Sequence, residues 1–441
     1  MARVALEGAM TSQWIDEVFA AHRQRQYPRE LLFSTVVELM TLVSLGLSPS
    51  LYAAATKAKH LPVSLAALYD KVNRTEPAIL RALVQGSAQR LEPVVATWPY
   101  APSLPGWRLR VLDGNHLAPS EKRLAALREQ RGAALPGHAL VVYEPDLGLV
   151  TDLIAIEDAH AQERSAMTPL IECAGAGELW LADRNFCTST ILQGWHQAQA
   201  CFIVREHGRN GPPLAGCGPW VAGARIETGR VREQRIDLKS GLKGWRRIEL
   251  QLDKPTDAGD TVILLWSNLP AAVSAHEIAR LYRKRWRIEG MFQRLESVLH
   301  SEIRTLGHPR AALLGLTVAV LAYNVLAMLK RSIETAHAPL GDAGGSPPDI
   351  STYYLAQHIR GQYEGMLIAL PPQQWSHWSD AEPAAIASKL LELARHVDPV
   401  QVRTRKRGPK TRKSAPYVDG AVARAHHSTA RLLKLARSGT S

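Results

Sequence analysis

The chain has 441 residues, of which 46% are hydrophobic and 21% charged. That composition excludes a disordered or fibrous protein, and the length exceeds one ordinary core, so two to four domains are expected. The formal charge is +12 and the pI about 9.6, yet the eleven Lys and Arg from Gln401 to Ser441 face only Asp419, which leaves residues 1–400 at +2. The positive charge is therefore a property of the C-terminal tail, and the body has to meet an anionic partner through local patches. Cys173, Cys187, Cys201 and Cys217 form no C-x-x-C pair, which argues against zinc and fits a reducing cytosol. The N-terminal MARVALEGAM lacks the basic start and long apolar run of a signal peptide.

Residues 1–100 predict a helical N-terminal domain of short amphipathic helices broken by Pro62, Pro77 and Pro93. Within it, SLAALYDKVNRTEPAILRALV reads as a helix pair of helix-turn-helix type and a candidate DNA-binding unit. From Trp107 the pattern changes. WRLRVLDGNHL alternates and is expected to turn at Asp113–Gly114, and HALVVYEPDLGLVTDLIAIED predicts a hairpin around Glu144–Gly148. ELWLADRNF reads as a strand ending in a charged turn, CTSTILQGWHQAQA as a helix and CFIVREH as a strand. Three β elements followed by β-α-β make a mixed α/β sheet. Residues 208–260, rich in Gly and Pro with several short strand-like runs, predict a β-rich insertion, after which TVILLWSNLP resumes the core.

SAHEIARLYRKRWRIEGMFQRLESVLH predicts one long helix over 274–300, with Ser274 as N-cap and Glu277 completing a capping box. Next, Ala311–Leu329 is uncharged, contains Asn324 and meets the lower length for a membrane span. It is a lone segment, and a helix buried in a large core is also apolar all round, so burial is expected. Residues 335–400 comprise a Gly/Pro-rich linker and C-terminal helices, and 401–441 a basic, flexible tail.

Three carboxylates stand out. Asp113 and Asp183 each follow an apolar strand, where ligands of α/β sheets sit. Turn formation is the plainer reading of each. On a helical wheel of about 100° per residue, Glu289 shares a stripe with Tyr282, Arg285 and Glu296. The apolar Leu281, Ile288, Phe292, Leu295 and Leu299 lie beside that stripe, and Arg283, Lys284, Arg287 and Arg294 lie opposite. Glu289 is thus placed at a core edge rather than on the basic face. An Arg285–Glu289 pair one turn apart would also explain it.

Taken together, Asp113, then Asp183 in D-R-N-F, then Tyr282, Arg285 and Glu289 spaced Y-x2-R-x3-E resemble the DDE transposases of bacterial insertion sequences, of the insertion-sequence-four type. The resemblance implies an RNase H-like mixed-sheet core in two parts, residues 107–207 and 261–334. The 208–260 insertion separates those parts, a helical domain precedes them, and a helical and basic region follows. It implies that Asp113, Asp183 and Glu289 hold two Mg²⁺ ions about 3.5–4 Å apart, with Mn²⁺ able to substitute, and that Asp113 bridges both. Water would cut a strand and the freed 3′-hydroxyl would attack target DNA. Tyr282 and Arg285 would contact phosphates near the cut, and Arg405, Lys406, Arg407, Lys410, Arg412 and Lys413 would bind DNA from the tail.

The implied partners are double-stranded DNA, the inverted-repeat ends of the element and target DNA, bound by a homodimer in the cytoplasm at the nucleoid, with no membrane. In the family a Lys lies seven residues after the Glu, and here that position is Glu296. A nuclease of the same fold without strand transfer, or a DNA-binding descendant with an inactive site, are the alternatives. Trp220 and Trp245 are candidates for stacking on an unpaired base, with packing as the plainer reading. His116 receives no role.

Overall fold

The computed structural model describes residues 1–26, 30–58, 61–208, 211–256, 259–339, 347–369, 375–405 and 426–438. Six helices open the chain: α1 (Ala2–Ala9), α2 (Ser12–His22), α3 (Phe33–Ser44), α4 (Leu51–Lys57), α5 (Leu65–Arg74) and α6 (Pro77–Ala96). The side chains of Thr11, Ser50 and Ser64 cap α2, α4 and α5, satisfying amides that have no partner inside the helix. Pro77 starts α6 at a position where a missing N–H costs nothing, and Pro93 lies inside its last turn without ending it. The pair read as helix-turn-helix is α5–α6. Helix α6 packs between a sheet strand and a later helix and exposes only Ala78, Gln89, Pro93 and Ala96.

The central chain builds β1 (Arg108–His116), α7 (Ala125–Arg128), β2 (Ala133–Leu135), β3 (His138–Glu144), β4 (Leu149–Ile156), α8 (Thr168–Glu172), β5 (Glu178–Ala182), α9 (Ser189–Gln197) and β6 (Cys201–Arg205). The next elements are β7 (Leu214–Cys217), β8 (Val221–Ile226), β9 (Gly229–Leu238), β10 (Trp245–Leu252) and β11 (Val262–Ser267). The main sheet runs β4-β3-β1-β5-β6-β11-β10-β9, with β7 and β8 both paired to β9. Strand β1 is antiparallel to β3 and parallel to β5, which is parallel to β6. The five strands β4-β3-β1-β5-β6 form an RNase H-like core. Strands β7–β10 join it edge-on through β11, so residues 214–252 lengthen the same sheet.

Strand alternation divides the apolar side chains between two layers. Leu109, Val111, Val141, Leu179 and Leu181 face one core, and Leu112, Leu140, Val142, Trp180 and Ala182 the other. The second core holds Trp245, whose ring lies 5.0 Å from Phe202. That position packs the protein and leaves Trp245 no free face for a base. Trp220 lies 4.6 Å from the Arg232 guanidinium and 5.9 Å from that of Arg247.

The remaining helices are α10 (Ala275–Arg283), α11 (Trp286–Leu299), α12 (Pro309–Ala336), α13 (Thr352–Ala369), α14 (Pro383–Ala394), α15 (Pro399–Val402) and α16 (Thr429–Ser438), with β12 (His426–Ser428) just before α16. The long apolar segment forms α12, 94% of whose most apolar stretch is buried inside the protein. Asn324, the polar residue within it, accepts from the Val150 amide and donates to the Val150 carbonyl, both at 2.8 Å. That bidentate bond serves a strand residue next to a register shift between β3 and β4, where the ladder leaves groups unpaired.

Two expectations change at the C-terminal half. The 274–300 helix is broken: the capping box of Ser274 and Glu277 is present, but Lys284 and Arg285 separate α10 from α11. Around the break the amides of Lys284, Arg285, Arg287 and Ile288 each donate to the carbonyl three residues back, a tightened turn of the kind found at hinges. The two halves follow different surfaces, α10 the strands β8–β10 and α11 the helices α12 and α13 with β1. The tail is not a flexible arm throughout. Strand β12 pairs in parallel with β2, and Arg431 of α16 meets Asp158 at 2.6 Å.

Candidate active site

Asp113 does not end a strand. Strand β1 continues through it to His116, still paired with β3, because a Gly at 114 tolerates extended backbone as readily as a turn. On the other side, pairing with β5 stops at Val111↔Leu181. That register offset of 70 residues also separates Asp113 from Asp183. The two aspartates therefore stand on one register row, just past the carboxyl ends of a parallel pair. Alternation puts both on the face of Val111 and Leu181, the face that α11 covers. Asp183 caps a short 3-10 turn, Arg184–Phe186, by accepting from the Asn185 amide. Asp113 accepts from the Gly114 amide at 3.0 Å.

Arg285, at the break between α10 and α11, donates to Asp113 at 2.8 Å and to Glu289 at 2.9 Å. Its side chain is 12% exposed, against 21% for Asp113 and 48% for Glu289. Asp113, Arg285 and Glu289 thus form a chain of charges running from the sheet to the solvent edge of α11. Burial pushes the Asp113 carboxyl up to about 6; Arg285 opposes this, and the charges of Asp183 and Glu163 add to it. Burial likewise pushes the Tyr282 hydroxyl up to about 12, with Arg285 opposing. Tyr282 is buried and within the electrostatic reach of Asp183. The structure brings Asp113, Asp183, Tyr282, Arg285 and Glu289 into one neighbourhood.

Among the described residues no three acids approach closely enough, as they stand, to hold a metal ion. The Arg285 guanidinium lies between Asp113 and Glu289 as a resident cation. The donors nevertheless fit a hard divalent ion. They are carboxylate oxygens, and Asp113 is a desolvated acid beside the charges of Asp183 and Glu163, a setting that favours a bound cation.

Glu163, to which the sequence assigned no role, sits at the start of a 3-10 turn, Glu163–Ala166. It accepts from the Asn185 side chain at 2.6 Å and meets His116 Nε2 at 3.3 Å. No motif marks it; only the fold brings this loop residue, in D-A-H-A-Q-E-R-S, beside the aspartates. Glu296, where the family has Lys, is exposed on α11. Its charge acts on Glu302, whose carboxyl is raised by burial first and by Glu296 next, and no contact joins it to Asp113 or Asp183.

Beside this site, on the other face of α11, lies a cleft of about 480 Å³ whose walls include Tyr143, Tyr323, Arg287, Arg294, Lys330 and Arg331. Lys330 pairs with Glu334 and Asp349. Arg287 and Arg294 have no carboxylate within ion-pair distance among the described residues. Arg405 lies 5.1 Å from the Tyr354 ring. Lys406, Arg407, Lys410, Arg412 and Lys413 fall outside the described residues.

Residues 126–325 match the family model of the transposase DDE domain. This stretch is similar to a transposase domain of DDE type. It spans 200 of the 441 residues and contains Asp183, Tyr282, Arg285 and Glu289, while Asp113 precedes it. The matched stretch runs from α7 into α12, and β1 completes its sheet from outside the match. No curated protein matches the chain.

Proposed function

We propose that this protein is a DNA transposase that binds the inverted-repeat ends of an insertion sequence and catalyses metal-dependent strand cleavage and transfer, as a homodimer on DNA. The observation that carries the proposal is the register row of Asp113 and Asp183, tied through Arg285 to Glu289 of the DDE domain. Asp113, Asp183 and Glu289 are the residues that would hold the cations. Two bound Mg²⁺ ions would activate an attacking oxygen and stabilise the leaving one.

The chain's own residues do the rest. Arg285 neutralises Asp113 in the free protein and is within one side-chain swing of a phosphate entering beside Glu289. Tyr282, held neutral by burial, adds no charge to the site and would offer its hydroxyl to a phosphate. Arg287 and Arg294, without an ion-pair partner among the described residues, offer guanidinium groups to the backbone of the same duplex. The break at Lys284–Arg285 lets α11 reposition Glu289 while the capping box anchors α10.

The test pairs gel-shift affinity for the element's end with Mg²⁺-dependent cleavage of that DNA, comparing wild type with Glu289→Gln. Unchanged affinity with cleavage reduced by several orders of magnitude is expected. Cleavage within about tenfold of wild type, a barrier change near 1.4 kcal/mol, would remove Glu289 from the site. Strand transfer from a pre-cut end separates the transposase from a nuclease.

A further inference from the structure

We infer that Glu163 is a positioning residue that sets the spacing of Asp113 and Asp183, an inference that rests on the two-aspartate site proposed above. One carboxylate, 16% exposed, touches both strand ends. Its Oε2 accepts from the Asn185 side chain at 2.6 Å. The backbone amide of that same Asn185 holds the Asp183 carboxylate. Its Oε1 meets His116 Nε2 at 3.3 Å, three residues after Asp113 on β1. Between these contacts it lies flat on Gly114: a Cβ at that position would stand 1.8 Å from Oε1. Gly114 is therefore required for close approach, since its backbone is ordinary extended strand. Past Val111↔Leu181 no β1–β5 ladder bond fixes the distance between the two aspartates. Glu163 replaces that missing bond with a bridge from the strand after Asp113 to the turn after Asp183.

The chemistry that depends on such a bridge is selective. Mg²⁺ demands near-ideal octahedral geometry from its donors, whereas Mn²⁺ and Ca²⁺ accept looser arrangements. Relaxing the Asp113–Asp183 spacing should therefore penalise Mg²⁺ more than Mn²⁺. Loss of stability alone has no reason to favour one ion.

The experiment titrates the full-length protein, free of DNA, with Mn²⁺ followed by electron paramagnetic resonance, and then competes Mg²⁺ against bound Mn²⁺. The variants are Glu163→Ala, Glu163→Gln, Gly114→Ala, the double variant Glu163→Ala/Gly114→Ala, and Asp113→Asn as the control for the site itself. Circular dichroism melts verify that each is folded. Glu163→Ala is expected to weaken Mn²⁺ by about threefold and Mg²⁺ by about tenfold or more. Glu163→Gln keeps an oxygen for Asn185 and should stay within about threefold of wild type for both ions. Gly114→Ala should reproduce the Glu163→Ala selectivity, and adding it to Glu163→Ala should cost little more, because the clash is gone. Equal weakening of the two ions by Glu163→Ala, or Glu163→Gln as damaging as Ala, would overturn the positioning role. Mn²⁺ binding unaffected by Asp113→Asn would instead overturn the two-aspartate site beneath it.

Discussion

Asp113 and Asp183 lie opposite one another two residues beyond the last paired residues of β1 and β5, with both side chains on the face that α11 covers. Parallel pairing with a constant offset and strand alternation are enough to produce this. The arrangement has an energetic cost. A partly buried carboxylate beside two other acids needs a positive charge, and in the free protein Arg285 supplies it at 2.8 Å.

Replacing Arg285 with Gln should therefore destabilise the metal-free protein at pH 7 by roughly 2 kcal/mol, because it leaves Asp113 uncompensated. The contact with the half-exposed Glu289 contributes little of this. Millimolar Mn²⁺ should recover most of the loss, since an ion that binds only the folded state stabilises it. Melting curves with and without Mn²⁺ read both effects. An Arg285→Gln protein that melts like wild type in metal-free buffer would show that Asp113 is neutralised by other means.

The cleft beside α11 leads to a salt-dependence prediction. Each phosphate neutralised contributes about 0.9 to the slope of log K against log salt concentration on duplex DNA. Arg287→Ser with Arg294→Ser should lower that slope by about 1.8 if both guanidinium groups sit on phosphates. The expected change is uniform across DNA sequences, since backbone contacts carry no base readout. A wild-type slope from the double variant would place the DNA elsewhere on the surface.

The basic stretch from Arg405 to Lys413 can be tested without removing the structured end of the chain. Six substitutions to Ser at Arg405, Lys406, Arg407, Lys410, Arg412 and Lys413 leave β12 and α16 in place. Full engagement predicts a slope reduced by about 5. An unchanged slope would assign the stretch to solubility alone.

What could be read from the sequence, and what could not, divides along physical lines. Strands β3–β6 and helix α9 follow from local periodicity and turn chemistry, and burial of α12 from its all-round apolar surface. The α10–α11 break has no Pro or Gly to announce it. It arises where α10 follows the β8–β10 edge and α11 follows α12, a tertiary conflict that a helical wheel cannot contain. The wheel places Glu289 at a core edge, whereas in the fold it is 48% exposed, for the same reason. Asp113–Gly114 has the composition of a turn but is strand, because the glycine serves Glu163 some fifty residues away. The Glu163 contact is non-local, and no local pattern encodes it.

His138 offers the clearest dependence on pH. It is fully buried, and neither ring nitrogen has a hydrogen-bond partner among the described residues. It pairs with His116 across β1 and β3 and stacks on it at 4.5 Å. Burial first, and His116 second, lower it to about 4, while the charges of Glu163 and Asp158 act in the opposite direction. The unfolded chain, with an ordinary value near 6.5, binds more protons than the folded one between those limits. Stability from this residue is therefore complete above about pH 6.5 and is lost as the pH falls toward 4, by about 3 kcal/mol. His138→Phe keeps a ring against His116, removes the two unpartnered nitrogens and cannot titrate. Denaturant unfolding at pH 7, 6, 5 and 4 should show the variant losing about 3 kcal/mol less than wild type across the range. Acids not coupled to His138 titrate equally in both proteins, so the difference reports His138 together with its coupling to Glu163 and Asp158. Parallel pH profiles for the two proteins would mean that His138 is protonated in the fold and that its charge is already met by Glu163.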